Sequence, residues 1–412
     1  MSRMSRPEFI ALIAMMFATI AFSVDAMLPA LPEISEELSP LDPNRATLII
    51  TAFLAGMGIG TFFVGPMSDA MGRKPVIVGG AAVYIIGAAV AGTAESLELV
   101  VAARLLQGIG AAGPRVVAMA IMRDMYSGRV MARMLSIAMS IFVIFPALAP
   151  MIGTGIIYLF DWRAIFGAFV LFSAVSVTWL LIRLPESLPP EARRPMRLPL
   201  MFGAVREMVS HPMVRLSIVV QTLCLSMMFA MIASVQPVYD LIYNRNDEFP
   251  FWFAGVALVA GCASILNASL VERLGMRKLV TWTLAVEILM SIVMIIEYGL
   301  DLPESVAFGF FVFWQATVFF MVGTAMGNLN ALAMEPMGHI AGMAASVIGA
   351  ISTVLGSIIA SPIGLMFNGS ILPLALGIFV LSTLGFLLML RMSKLERTLT
   401  AKPPLAEHAQ KA

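Results

Sequence analysis

The chain has 412 residues, 60% hydrophobic and 12% charged, with a formal net charge of +1. Soluble domains carry about 25% charged residues, so this apolar excess is too large for one water-soluble core, and lipid is the solvent for most of it. A charge this close to zero leaves no footprint for nucleic acid, and the two cysteines, Cys224 and Cys262, lie in apolar runs and exclude a disulfide scaffold.

In chain order, the opening MSRMSRP precedes an apolar run of roughly 23 residues. That is longer than the roughly 7–15 of a signal-peptide core and long enough to span a bilayer, so it is expected to be a retained first helix. Twelve spans are predicted, at about 9–31, 45–67, 75–94, 98–122, 132–159, 164–184, 213–238, 250–271, 278–298, 303–329, 341–366 and 371–391. The Pro- and Arg-rich stretch 185–212 reads as a linker. It separates an N-terminal six-helix bundle (1–184) from a C-terminal one (213–391), and 392–412 forms a tail.

With the N-terminus cytoplasmic, 21 of the 26 Lys and Arg residues lie in or beside cytoplasmic segments. Arg45, Arg163 and Arg245 are then external, and Arg104 and Arg115 fall inside a span. The expected topology is therefore multi-pass in the inner (plasma) membrane, with both termini cytoplasmic. The halves also echo each other: Asp69 and Gly72 after span 2 correspond to Glu272 and Gly275 after span 8, an offset of 203, and "VERLGMRK" reads as a worn copy of "SDAMGRK". Parallel repeats of six helices are a known plan of secondary transporters.

The loop "GPMSDAMGRKP" concentrates charge between two apolar spans. Gly65 and Pro66 are expected to let helix 2 end, and Gly72 to permit a sharp reversal. A carboxylate such as Asp69 is stabilised at a helix N-terminus, and Arg73 can pair an acid on a neighbouring helix end; otherwise the loop is a solvated basic turn with weak surface pairs. The stretch resembles the G-x-x-x-D-R-x-G-R-[KR] signature of the major facilitator superfamily, matching at Gly65, Asp69, Gly72, Arg73 and Lys74, with Ala70 where the signature has arginine. The resemblance implies an all-α fold of twelve transmembrane helices in two pseudo-symmetric bundles, a monomer, and a cytoplasmic gate. In that gate Asp69 caps helix 11, and Arg73 pairs the acid ending helix 4, here Asp124 of "IMRDMY".

Four ionisable residues lie within spans: Asp25, Arg104, Arg115 and Glu287. Charges near the bilayer centre cost about 2.5–3.5 kcal/mol on insertion scales. Asp25 and Arg104 are each six residues from the external end of their span, about 9 Å deep at helical rise, so they are candidates for proton coupling. The plainer readings are a helix-end acid solvated by a vestibule, and an arginine pinned to backbone carbonyls. "VDAMLPALPEI" resembles the D-x-x-L-P-x-x-P run of the Bcr/CflA-type drug-efflux branch. "ARLLQGIGAAG" resembles the R-x-x-Q-G-x-G motif of proton-coupled members, matching at Arg104, Gln107 and Gly108.

Arg115, eleven residues after Arg104, shares its helix face and is either a second polar station on the path or a snorkelling side chain. Glu287 belongs either to the path or to helix–helix bonding. In span 5, "PALAPMIGTGI" (Pro146, Pro150, Gly153) resembles the exporter motif G-P-x-x-G-G, with Ala149 and Thr154 in place of glycines. The 33 methionines are gap-filling core or part of a flexible apolar pocket, for which Phe22, Met139, Phe142, Met227, Met228, Phe229, Gln236 and Trp314 are candidate lining residues.

The expected function is export of small amphipathic drug-like compounds coupled to protons by alternating access. The alternative is carriage of one metabolite, in either direction. A membrane-embedded enzyme would need intramembrane His ligands or paired carboxylates. His211, His339 and His408 all fall in or near loops without metal-ligand spacing, so no enzyme, metal or cofactor is expected.

Overall fold

In the computed structural model, which describes residues 4–300 and 302–400, the apolar runs fold as helices because only helices satisfy their own backbone groups in lipid. The first half comprises α1 (Arg6–Asp25), α2 (Leu31–Leu38), α3 (Leu48–Met71), α4 (Arg73–Gly92), α5 (Leu97–Met125), α6 (Gly128–Phe142), α7 (Ile144–Leu159) and α8 (Arg163–Arg183). A connecting helix, α9 (Leu198–Ser210), follows. The second half comprises α10 (Pro212–Pro237), α11 (Phe249–Gly261), α12 (Ala263–Leu274), α13 (Met276–Tyr298), α14 (Glu304–Met334), α15 (Ala341–Leu365) and α16 (Leu372–Thr400).

Among the described residues, eleven continuous helical segments are long and apolar enough to cross a membrane. One of them, Glu304–Leu365, has 62 residues. Straight, it would run about 93 Å, roughly three times the hydrocarbon thickness. It instead turns at Glu335–Ile340, where Met337 leaves the helical region (φ −110°, ψ 24°), and α14 packs back against α15. The predicted spans 10 and 11 are its two limbs, and twelve crossings in two bundles result.

The structure corrects several boundaries. Helix α3 does not end at Gly65–Pro66; it runs through Pro66 to Met71 and stops at Gly72, whose φ of 103° is open to glycine. Spans 5 and 8 are each broken, at Val143 and Cys262. Span 1 breaks over 26–30, where Pro29 and Pro32 interrupt the ladder. The segment 185–212 carries α9, whose Met201, Ala204 and Met208 are buried on the side that packs against α10 and α15. The last helix extends past 391 to Thr400, and 401–412 of the expected tail lie outside the described residues.

The repeat is visible in geometry. Gly72 joins α3 to α4 with φ 103° and ψ 163°, and Gly275 joins α12 to α13 with φ 81° and ψ 149°. The spans that open the two halves, containing α1 and α10, are the most completely buried. The halves meet along α3 and α15 and, on the side away from the chain termini, along α7 and α11. There Asn44 Nδ2 donates to the Leu365 and Phe367 carbonyls at 3.1 and 2.6 Å. The two breaks also touch, Val143 lying against Gly261. On the terminal side α6 and α12 have no comparable contact, so the halves are closed on the far side and parted between these two limbs.

Candidate functional site

Arg104 is fully buried on α5. Its Nη2 donates to the Ser23 carbonyl of α1 at 2.8 Å, its Nε to the Ile49 carbonyl of α3 at 3.3 Å, and its Nη1 to Gln107 Oε1 at 2.7 Å. The guanidinium lies 4.4 Å from the Phe53 ring centroid and 5.8 Å from that of Phe169, geometry that favours a cation over an aromatic face. Close approach of α3 and α5 permits this: Gly108 lies against the Phe53 carbonyl and Gly56 against that of Leu105, where any Cβ would collide. Ser23 Oγ adds α4 to the cluster by sharing a hydrogen bond with Tyr84 Oη at 2.6 Å.

Asp25 ends α1, two residues beyond the carbonyl that Arg104 holds, and is 6% exposed. Its carboxyl has no hydrogen bond or ion pair with another described residue. The equal depth expected of the two side chains therefore does not make them a pair here: backbone carbonyls occupy the guanidinium, and the acid stands alone at the negative end of a helix, an unfavourable place for a carboxylate. The span 5 motif meets this turn. Pro150 and Gly153 are buried on α7, Gly153 lies against the Ala26 backbone next to Asp25, and Pro146 occupies the first turn of α7, where its missing N–H costs nothing.

Arg115 is exposed. Its face of α5 is that of Arg104 and is opposite the lipid-compatible Leu99 and Leu106, so it faces inward, with Met57 Sδ of α3 4.0 Å from Nη1. Other predicted lining residues are packed away in this conformation. Phe22 meets Phe169 edge to face and Phe172 at a tilt, with ring centroids 5.3 and 5.2 Å apart. Gln236 is 1% exposed and donates to Asn246 Oδ1 at 3.1 Å. Met227, Phe229 and Trp314 are buried, whereas Met139 is exposed on α6. Glu287 lies in the second half on α13, apart from Asp25 and Arg104.

On the terminal side, Arg73 is 5% exposed. Its Nε donates to Asp124 Oδ2 at 2.8 Å, its Nη2 to Asp124 Oδ1 at 3.3 Å, and its Nη1 to Ser68 Oγ at 2.8 Å and Asp69 Oδ1 at 2.5 Å. The loop thus ties the ends of α3, α4 and α5 together within one half. Asp69 accepts from Arg73 and makes no hydrogen bond to α15 among the described residues, and the N-cap of α15, Ile340, has no side-chain cap bond; Gly65, within α3, lies against Ser346 of α15. Lys74 Nζ donates to the Leu181 carbonyl at 3.1 Å. The three arginines expected outside are each paired on the far side, Arg45 with Glu98, Arg163 with Glu37 and Arg245 with Glu248, at 2.7, 2.7 and 3.0 Å.

A residue that sequence reasoning missed completes this cluster. Glu186 accepts the backbone N–H groups of Arg73, Lys74 and Leu188 at 2.9, 3.0 and 3.1 Å, capping α4 from the linker. The only signal was an acid just after span 6. Partial burial opposes its charge, but the three N–H donors and the nearby Arg193 outweigh that and hold its carboxyl below the ordinary range. A depressed folded-state value means that the stabilisation is full above about 4.3, the unfolded value, and fades as pH falls through the folded one. Glu186→Ala is expected to lower stability by about 0.5–1 kcal/mol at neutral pH, allowing for solvent screening. The gap should narrow toward about pH 3. Thermal unfolding in detergent at both pH values checks this, and a gap independent of pH would remove the charged cap.

The Major Facilitator Superfamily model matches residues 11–362. The chain is 29% identical over 348 residues to a bicyclomycin resistance protein homolog of Haemophilus influenzae, covering 82% of this chain and 85% of the relative. It is 28% identical over 388 residues to the multidrug resistance protein MdtL of Escherichia coli, covering 94% and 95%. Its fold matches the crystal structure of a D-xylose-proton symporter with a TM-score of 0.74 at 14% identity, over 94% of this chain and 97% of that one.

Proposed function

This chain belongs to the major facilitator superfamily, a multi-pass membrane carrier of small molecules and not an enzyme, and on that premise we propose that it exports amphipathic drug-like compounds in exchange for protons, within the Bcr/CflA-type branch. The observation that carries the reading is a buried Asp25 that has no partner among the described residues, close in the chain to a carbonyl held by Arg104, whose acceptors among the described residues are all neutral. An isolated carboxylate out of water is costly, and taking up a proton removes that cost, which makes Asp25 the proton carrier in this reading. A movement of α1 that withdraws the Ser23 carbonyl frees Arg104 to pair with Asp25, and the proton leaves. The resistance-protein relatives support a drug-like substrate.

The expected result is lower accumulation of lipophilic dyes in expressing cells than in control cells, abolished by a proton uncoupler. Unchanged accumulation across a panel of such dyes would favour carriage of one metabolite.

The protein resides in the inner (plasma) membrane as a monomer, with the terminal side cytoplasmic. In a background with Cys224 and Cys262 replaced, Arg194→Cys should be shielded in intact cells and Arg245→Cys labelled by an impermeant maleimide; the reverse pattern inverts the topology. The Arg73 cluster serves as a gate element on the cytoplasmic side, closing when α6 and α12 meet. Asp69→Asn is then expected to slow turnover with little change in substrate affinity, because a loop that biases two states by a few kcal/mol alters their populations and not the pocket. Unaltered turnover in a transport assay would leave the loop a charged turn.

A further inference from the structure

Helix α13 has 23 residues, and Glu287 is its twelfth, at the midpoint. Its side chain is buried, at 1% exposed. Among the described residues it has one weak hydrogen bond, from Thr317 Oγ1 at 3.5 Å, and no ion pair. It contributes to the wall of a cleft of about 410 Å³ between α13, α14 and the broken pair α11 and α12. Trp282, Val286, Phe313, Phe320 and Thr317 line that cleft with it. Trp282, Val286 and Phe313 are exposed, and α13 packs against α12, α14 and α16, all of its own half. The cleft therefore opens toward lipid and not toward the partner bundle.

We propose that this cleft is a lateral binding site for lipophilic monocations that enter it from the bilayer, with Glu287 as the countercharge. The chemistry narrows the occupant. One carboxyl suits one positive charge, whereas a hard metal ion needs several oxygen ligands, and the described residues form no metal-ligand group. An acyl chain would fill the apolar walls but offer the buried carboxyl no polar or charged partner, and a buried polar group left without one is costly whether or not it carries a proton. The faces of Trp282, Phe313 and Phe320 attract a cation, and their surfaces bury an apolar body. The site is independent of the coupling role given to Asp25, and its binding requires no transport.

The test uses the full chain in phosphatidylcholine nanodiscs, photolabelled with a diazirine-bearing alkyltriphenylphosphonium, with adducts mapped by peptide mass spectrometry. Adducts are expected on α13 and α14, on peptides containing Trp282 and Phe313–Phe320. Labelling there should fall roughly tenfold in Glu287→Gln, the loss of one charged contact, and similarly for an uncharged triphenylmethyl analogue on the unaltered protein. Ala316→Trp, which fills the cleft and keeps the acid, should lose the same adducts. Equal labelling by the charged and uncharged probes, or adducts confined to other helices, overturns the proposal and leaves a lipid-filled groove. If Glu287→Gln fails to give a monodisperse protein, the comparison of probes on the unaltered chain decides the matter.

Discussion

Asp25→Asn is expected to abolish uphill export while leaving substrate binding and downhill exchange. Asparagine keeps the volume of the side chain, and Asp25 makes no bond to a described residue that the change would break, so the fold should be unaffected. What is lost is the titratable proton. Each proton moving down a potential of 100 mV contributes about 2.3 kcal/mol, which sustains a substrate ratio of about fifty; in the variant the ratio should fall to about one. Substrate-induced proton release from the detergent-solubilised protein should vanish as well. If Asp25→Asn still releases protons and still accumulates substrate against a gradient, the proton is carried elsewhere, with Glu287 the next buried acid to test.

Arg104→Lys should be nearly as damaging, for a different reason. The guanidinium reaches α1, α3 and Gln107 from one planar fork, and a single ammonium cannot reproduce that geometry. Losing one or two charge-assisted bonds among buried groups costs about 2–4 kcal/mol, and the ammonium no longer fills the space over Phe53. We expect a lower unfolding temperature and transport reduced by about a hundredfold or more, since the lost contacts fix the position of α1. The readout specific to a switching role is coupling: at matched folded protein, the variant should release fewer protons per substrate bound. Normal coupling with only a lower unfolding temperature would make Arg104 a structural pin.

The architecture was legible in the sequence because lipid imposes a simple rule. Apolar runs of spanning length must be helices, and a chain of twelve such runs with a matching glycine-terminated loop after spans 2 and 8 must be a repeat; Gly72 and Gly275 have nearly the same backbone angles for that reason. Residues whose chemistry is out of place in hydrocarbon could likewise be named in advance, since Asp25, Arg104 and Glu287 can be retained there only against a solvation cost. What those residues touch could not be read. Spacing gives depth along one helix but not rotation relative to its neighbours, so equal depth suggested an Asp25–Arg104 pair where the tertiary structure gives Arg104 to the Ser23 and Ile49 carbonyls. Gly65 and Pro66 suggested a helix end, yet packing of α3 against α5 and α15 carries the helix through to Met71. The cap on α4 comes from Glu186, 113 residues beyond Arg73, and the cleft beside Glu287 exists only where α11 and α12 meet α13 and α14. One-dimensional pattern determined which residues must be buried or turned; three-dimensional packing alone decided which of them are partners.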